Sequence, residues 1–177
     1  MIYIISGGID SGKTSGMIEL YRRSAPGSGD GLVTRKIYAK PKPGMALEGS
    51  KRDSDDFIGY ELLRLSTGES QVLLLLASKY NGEFQDSFTF GRFVFSQEGF
   101  RFGKAVIQEL LDNENIQDIY LDEVGPVELQ GKGFCSILRK AMKSDKNLYL
   151  TVRDQCLEEL LEKFGDRRSQ VLLFPWG

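Results

Sequence analysis

The chain has 177 residues, 41% of them hydrophobic and 27% charged, which is a size and composition typical of one folded α/β domain spanning residues 1–177. A net charge of −2 gives no electrostatic reason to expect a nucleic-acid partner, and no segment resembles a membrane span or a signal peptide, so we expect a cytoplasmic protein. The sequence contains no histidine, which excludes histidine-based acid–base catalysis and the usual zinc ligands.

The first fifteen residues predict a phosphate-binding loop. The β-branched run Ile2–Ile5 leads directly into Gly7-x-x-x-x-Gly12-Lys13-Thr14, which is the Walker A pattern. Glycines let backbone N–H groups approach phosphate oxygens, Lys13 can reach the β- and γ-phosphates, and Thr14 can offer its hydroxyl to Mg²⁺. The helix that begins near Gly12 directs its positive end at the same anion. The residues predicted to bind nucleotide here are Gly7, Gly8, Ile9, Asp10, Ser11, Gly12, Lys13, Thr14 and Ser15.

The next part of the chain combines turn formers with one short strand. Consecutive turn residues over 25–31 break the first helix, and residues 32–39 alternate as a strand does. The polar segment 40–56 is predicted to be a loop or excursion from the sheet. Its basic side chains could bind a ligand, and the alternative is solvated charge; these side chains are Lys40, Lys42, Lys51 and Arg52.

Several β-like runs with short connections follow. Strands are predicted over residues 57–65, 72–78 and 88–96, with a hairpin turn at Asn81–Gly82. Short connections join antiparallel neighbours, so this region is expected to be a meander attached to the main sheet. Aromatic residues alternate along 88–96, which favours a half-buried face over a base-stacking platform.

A second functional element follows the helix predicted over 100–111. The apolar run beginning at Asp118 ends in the carboxylates Asp122 and Glu123, as a Walker B strand does. Such a strand carries Asp122 to the carboxyl edge of the sheet, where it can hold Mg²⁺ alongside Thr14. Glu123 could orient or deprotonate an attacking water. Asp122 and Thr14 are therefore the predicted metal ligands, and Glu123 and Lys13 are predicted catalytic residues.

The remaining chain alternates helices and strands. The predicted elements are a helix near 133–142, a strand 147–152, a helix near 155–164 and a strand 170–174. This alternation predicts a P-loop α/β fold, in which a largely parallel central sheet is flanked by helices and carries the antiparallel meander. Arg153 could stabilise charge in the transition state, and a structural salt bridge is the alternative. The two cysteines, Cys135 and Cys156, are expected to be buried thiols.

Two segments resemble a known family. Asp122-Glu-Val-Gly-Pro-Val-Glu-Leu129 is similar to the extended Walker B segment of the P-loop nucleoside-triphosphatase family that includes thermophile enzymes, and Thr151-Val-Arg-Asp154 resembles the end of that family's next strand. The resemblance implies hydrolysis of ATP, GTP and other nucleoside triphosphates with Mg²⁺. It also implies nucleotide contacts at the phosphate loop and at Leu121, Asp122, Glu123, Val124 and Gly125. This sequence departs from the family at Asp10 and in the expanded segment 40–56.

Of three other functions, the sequence gives no support to a guanine-specific GTPase and leaves a kinase and a non-hydrolytic binding module open. A GTPase would carry a lysine within its guanine-reading motif, and Thr151-Val-Arg-Asp154 has none. A small-molecule or nucleoside kinase would carry an arginine-rich lid, for which only Arg35, Lys36 and the segment 40–56 are candidates. A non-hydrolytic nucleotide-binding module would have no use for Glu123. These patterns do not set the oligomeric state, or whether an arginine from a second chain completes the site.

Overall fold

The computed structural model describes residues 1–8, 11–39, 56–165 and 167–173. Within these residues nine strands form one sheet in the order β5-β6-β4-β3-β2-β7-β8-β1-β9. The strands are β1 (Ile2–Gly7), β2 (Gly29–Tyr38), β3 (Phe57–Arg64), β4 (Ser70–Leu76), β5 (Ser87–Phe90), β6 (Phe93–Ser96), β7 (Asp118–Val124), β8 (Asn147–Arg153) and β9 (Ser169–Leu173). The helices are α1 (Lys13–Arg23), α2 (Gln97–Asp112), α3 (Pro126–Leu129), α4 (Cys135–Lys143) and α5 (Asp154–Phe164).

One half of the sheet is parallel. Strands β2, β7, β8, β1 and β9 pair in parallel with one another in that order, so their carboxyl ends point to one edge. Strand β8 lies between β1 and β7, and the strand before the phosphate loop is therefore separated by one strand from the strand that carries Asp122. The α/β architecture with a largely parallel core is confirmed.

The other half of the sheet is antiparallel, as predicted, but it is not a simple meander, because β6 lies between β4 and β5. Two details of the prediction are wrong. The aromatic run 88–96 is not one strand but the hairpin of β5 and β6, which turns at Gly91 with a φ of 57°. Because opposed residues Phe88 and Phe95 lie on the same face, the aromatic alternation continues through the turn and conceals it. The segment at 81–82 is not a hairpin turn, since β4 pairs with β6 and not with β5.

Smaller differences lie at the element ends. Strand β2 begins at Gly29, inside the segment predicted as a turn, because residues 29–32 already pair with β7. The four-residue helix α3 was not predicted, since four residues are too few to show a helical period. Ile9, Asp10, nearly all of the segment 40–56 and Phe174 lie outside the described residues.

Alternation along the strands divides the core into two layers. Ile5, Val33 and Tyr120 pack with Met17 of α1 on one face, whereas the other face packs against α2, α4 and α5. Cys135 of α4 and Cys156 of α5 are free, buried thiols, as expected. Among the described residues no helix is both long and apolar enough to cross a membrane.

Candidate active site

The phosphate loop lies at the carboxyl end of β1. Gly12 has a φ of 92°, a left-handed conformation that glycine adopts without steric cost. It caps α1 without a side-chain hydrogen bond, so the first N–H groups of the helix stay available to an anion. The ammonium of Lys13 donates to the carbonyl oxygens of Gly7 and Gly8 at 2.6 Å each, which holds its charge over the loop.

Asp122 connects three parallel strands and the phosphate loop. The residue is 4% exposed. Its Oδ2 accepts hydrogen bonds from the Thr14 hydroxyl at 2.8 Å and from the Thr34 hydroxyl and N–H at 2.8 and 3.1 Å. Its Oδ1 accepts a hydrogen bond from the Thr151 hydroxyl. The structure thus brings Asp122 and the first turn of α1 into direct contact, although 108 residues separate Asp122 from Thr14.

A bulge in β7 sets the direction of the two carboxylates. The pairing with β8 shifts between Leu121 and Val124, where two residues of β7 face one residue, Thr151, of β8. Glu123 has a φ of 57°, which an L-residue adopts only at a cost of roughly 1–2 kcal/mol. Its N–H donates to the Thr151 hydroxyl at 2.8 Å, and the same hydroxyl donates to Asp122. The bulge therefore places the Asp122 side chain in the protein interior and the Glu123 side chain at the surface.

Glu123 is the more exposed of the two carboxylates, with 39% of its side chain accessible. Desolvation in the cleft and the nearby charge of Asp122 raise the pKa of Glu123, while the charges of Arg153 and Lys13 oppose that shift. The guanidinium of Arg153 lies 3.5 Å from the Glu123 carboxylate. Arg153 stands opposite Gly7 in the β1–β8 pairing, so it reaches the same edge as the phosphate loop. A raised pKa makes a carboxylate a stronger base towards water.

A buried carboxylate supports the loop behind Glu123. Glu128 of α3 is 5% exposed, and its carboxylate accepts hydrogen bonds from the N–H groups of Gly125 at 3.0 Å and Phe134 at 3.2 Å. Burial raises the pKa of Glu128 despite these two hydrogen bonds. The bonds join the two ends of the segment that follows β7, and so fix the chain immediately after the bulge.

Thr14 and Asp122 fit a small, hard cation. The Thr14 hydroxyl donates its only proton to Asp122, which leaves the oxygen's lone pairs available to a metal ion. The described residues contain no group of three or more acidic, cysteine or histidine ligands. Mg²⁺ is commonly bound by one or two protein oxygens together with substrate phosphates, which is the kind of donor set that Thr14 and Asp122 offer.

The structure gathers most of the predicted site residues at one sheet edge. The described residues of the phosphate loop, together with Asp122, Glu123, Gly125 and Arg153, lie there. Leu121 and Val124 are 3% and 2% exposed and belong to the core, so nucleotide contacts at these two positions remain predictions that would involve the backbone. Predictions for Ile9 and Asp10 lie outside the described residues.

The site also contains groups that sequence patterns did not identify. Thr34 reaches Asp122 because β2 pairs with β7 through Leu32 and Leu121, a contact between residues far apart in the chain. Glu128 was visible only as part of the segment that resembles the family. The sequence signal for Glu128 is the spacing Gly125-Pro-Val-Glu128. In this spacing the side chain of the third helical residue accepts a hydrogen bond from the backbone N–H at the helix start, as in a capping box.

The sheet, the phosphate loop and the paired carboxylates define a P-loop nucleotide-binding protein. A family model described as NTPase matches residues 23–174, and the chain therefore belongs to the NTPase family. Nucleoside-triphosphatase THEP1 of Pyrococcus abyssi is 28% identical over 129 residues, which cover 72% of this chain and 59% of that protein. The chain thus spans about three-fifths of the length of this relative.

Two solved structures share the fold. THEP1 of the hyperthermophile Aquifex aeolicus superimposes with a TM-score of 0.65 at 17% identity, over 98% of this chain and 89% of that chain. A human cancer-related nucleoside triphosphatase superimposes with a TM-score of 0.61 at 15% identity, over 97% of this chain and 87% of that chain. At these identities the likeness concerns the fold.

Proposed function

We propose that the chain, as one catalytic domain, hydrolyses nucleoside 5′-triphosphates, including ATP and GTP, to the diphosphate and phosphate in a Mg²⁺-dependent reaction. The observation that carries the proposal is the 2.8 Å hydrogen bond between Thr14 and Asp122. It joins the phosphate loop to the strand that ends in Asp122 and Glu123, so that a triphosphate on the loop has its terminal phosphate beside both carboxylates. The names of the relatives, which describe nucleoside triphosphatases, support the same activity.

The residues divide the chemistry between them. The N–H groups of the loop and the first turn of α1 bind the phosphates, and the ammonium of Lys13 neutralises charge on the β- and γ-phosphates. The hydroxyl of Thr14 would hold Mg²⁺, with Asp122 orienting that hydroxyl. When bound, the cation would neutralise charge on the phosphate oxygens.

Glu123 is the proposed general base. Its carboxylate accepts a proton from water as the water oxygen attacks the γ-phosphorus, and the bond from that phosphorus to the bridging oxygen breaks to release the diphosphate. Desolvation, which raises the pKa of Glu123, suits it to this proton transfer. Arg153 lies close enough to Glu123 to pair with it and, on rotation towards the phosphates, to stabilise charge that develops there.

Base selectivity is proposed to be loose, because the sequence shows no base-reading motif. The test is the release of inorganic phosphate from ATP, GTP and CTP, measured with Mg²⁺ and again with a chelator in excess. We expect release from all three nucleotides that stops when the metal is removed. An absence of release from every nucleotide, at protein concentrations where binding is saturated, would overturn the proposal.

A further inference from the structure

A cavity of about 240 Å³ opens beside the two carboxylates, on the side of the antiparallel strands. Its polar groups include Asp122, Glu123 and Arg153, which lie at the carboxyl ends of β7 and β8, and Thr34 in the middle of β2. The rest of the lining is mainly apolar and carries six aromatic rings, which belong to Tyr60, Phe90, Phe93, Phe95, Phe100 and Phe134. The cavity is therefore lined mainly by apolar side chains, with the proposed catalytic groups on one side.

The rings differ in how deeply they are buried. Phe95 and Phe100 are stacked 5.8 Å apart and are buried in the core. Phe90 and Phe93, which face each other across the β5–β6 hairpin, are only partly buried. Partly buried rings on a cavity wall present faces to whatever enters it. The inner rings are covered by core packing, whereas Phe90 and Phe93 pack against the core with part of their surface still accessible.

The position of the cavity relates it to the proposed function, on which this inference rests. Asp122 and Glu123 are at the γ-phosphate end of a triphosphate bound on the loop, whereas the nucleoside is at the other end. A cavity that is lined by both carboxylates lies beyond the γ-phosphate, on the side from which an acceptor must approach. The nucleoside of the same triphosphate is attached at the opposite end, so it would not occupy this cavity.

The size and lining restrict what the cavity accepts. A protein cavity of about 150 Å³ takes one benzene molecule, so the larger volume here suits one ring with substituents or two fused rings. Glu128 also lines the cavity, but its carboxylate is engaged by Gly125 and Phe134. The guanidinium of Arg92 lies 5.1 Å from the centre of the Phe93 ring, which it covers. Arg92 is exposed, and the aromatic part of the lining itself offers stacking surfaces and no charged group.

We propose that this cavity binds a second substrate, a neutral alcohol carried on a flat system of one or two rings, whose hydroxyl replaces water as the phosphoryl acceptor. The hydroxyl oxygen forms a bond to the γ-phosphorus, its proton goes to Glu123, and the bond to the bridging oxygen breaks. The products are a phosphate monoester and a nucleoside diphosphate. Hydrolysis is the same transfer with water as the acceptor.

Benzyl alcohol and naphthalenemethanol are suitable probes, with ATP and Mg²⁺ as the donor system. Binding is measured by ligand-detected NMR, and the products by ³¹P NMR, which separates a phosphate monoester from free phosphate. We expect both alcohols to bind, naphthalenemethanol more tightly, and the monoester to appear while the yield of free phosphate per diphosphate falls.

Two matched variants test the location. Phe90 lines the cavity, whereas Phe88 lies on the same face of β5, outside the lining, and packs on Phe95. Phe90→Ala should lower the ratio of monoester to free phosphate about tenfold, since an aromatic contact and its buried area are worth about 1.4 kcal/mol. Phe88→Ala should retain the wild-type ratio. If either alanine variant fails to fold, the Phe→Leu pair provides the same contrast.

The outcomes separate this inference from the proposed function. Phosphate release without binding of either alcohol, or equal effects of the Phe90 and Phe88 variants, would overturn the acceptor cavity and leave the hydrolase intact. If the monoester forms with alcohol, and no phosphate is released when alcohol is absent, the acceptor cavity is supported and the protein is a kinase and not a hydrolase. If neither product forms, both proposals are wrong.

Discussion

The two halves of the sheet contribute to the site in different ways. In the parallel half, polar side chains at the strand ends hydrogen-bond to one another, and Asp122 accepts four hydrogen bonds from Thr14, Thr34 and Thr151. In the antiparallel half, the side chains towards the site are mostly aromatic and contact one another through ring packing. The first half carries the reactive groups, and the second half forms a wall beside them.

This difference follows from topology. Parallel strands deliver all their carboxyl ends to one edge, so the residue after each strand meets its neighbours there. Antiparallel strands alternate in direction, and hence cannot concentrate loop residues in the same way. Substitutions of the polar side chains at the ends of the parallel strands should therefore act on turnover, whereas substitutions of buried ion pairs away from that edge should act on stability.

The largest effect is expected for Lys13→Ala. Removing the ammonium leaves the charge on the β- and γ-phosphates without its main protein counter-charge, so phosphate release should fall by about 1,000-fold. Steady-state phosphate release from ATP measures the change. Lys79→Ala is the control, because Lys79 is an exposed residue in the antiparallel half and should keep the wild-type rate. Wild-type turnover in the Lys13 variant would remove the active-site assignment.

Glu123→Gln should slow hydrolysis on the order of 100-fold while nucleotide binding persists, since the amide cannot accept the proton of water. Phosphate release gives the rate, and calorimetric titration with a non-hydrolysable nucleotide gives the affinity. Glu158→Gln, an exposed substitution on α5, should change neither quantity. If the Glu123 variant turns over normally, another group activates the water.

Arg64→Leu tests an ion pair between the antiparallel strand β3 and its neighbour β2. Arg64 of β3 donates to the buried carboxylate of Asp30 at 2.7 Å and forms two hydrogen bonds to Glu109 of α2. Breaking a buried pair leaves Asp30 without its counter-charge, which should lower the free energy of unfolding by about 3 kcal/mol. Denaturant titration measures the loss, and kcat of the folded enzyme should stay near wild type.

The matched control for Arg64 lies in the parallel half. Arg23 forms an exposed ion pair with Glu19 on α1, with side chains that are 73% and 60% accessible. Arg23→Leu should change the free energy of unfolding by no more than about 0.5 kcal/mol, because solvent screens such pairs. Equal losses in the two variants would contradict a structural role for the Arg64 ion pair.

Among the substitutions in the active site, the smallest effect is expected for Arg153→Gln, mainly in the pH dependence. Arg153 opposes the raised pKa of Glu123, so without its charge that pKa rises further. Because hydrolysis requires ionised Glu123, the acid limb of the kcat profile should move to higher pH, so that kcat falls on that limb. Arg153→Lys keeps the charge and should return the limb towards its wild-type position. An unchanged limb in the glutamine variant would leave Arg153 with no electrostatic effect on Glu123.

Sequence patterns predicted the parts of this molecule that depend on local spacing. The phosphate loop, the strand ending in Asp122 and each helix or strand predicted after it were visible because each pattern lies within a short contiguous stretch of sequence. The antiparallel half of the sheet was visible as well, since short connections restrict strands to antiparallel pairing. The turn at Gly91 was hidden because its flanking strands share one aromatic face.

Features that depend on pairing between distant segments were not predictable in this way. The contact of Thr34 with Asp122 requires β2 to lie beside β7. The left-handed backbone of Glu123 arises from the register shift against β8, which no local pattern encodes. Both features adjust the direction of side chains whose presence the sequence had already indicated.

The central claim is that the phosphate loop and the end of β7 bind the same triphosphate. A crystal structure with a non-hydrolysable triphosphate and Mg²⁺ tests it most directly. We predict that the β- and γ-phosphates contact the Lys13 ammonium and that the γ-phosphate lies beside Asp122 and Glu123, with the aromatic cavity free of the nucleoside. A triphosphate bound away from the loop, or a nucleoside inserted among the aromatic rings, would contradict the account.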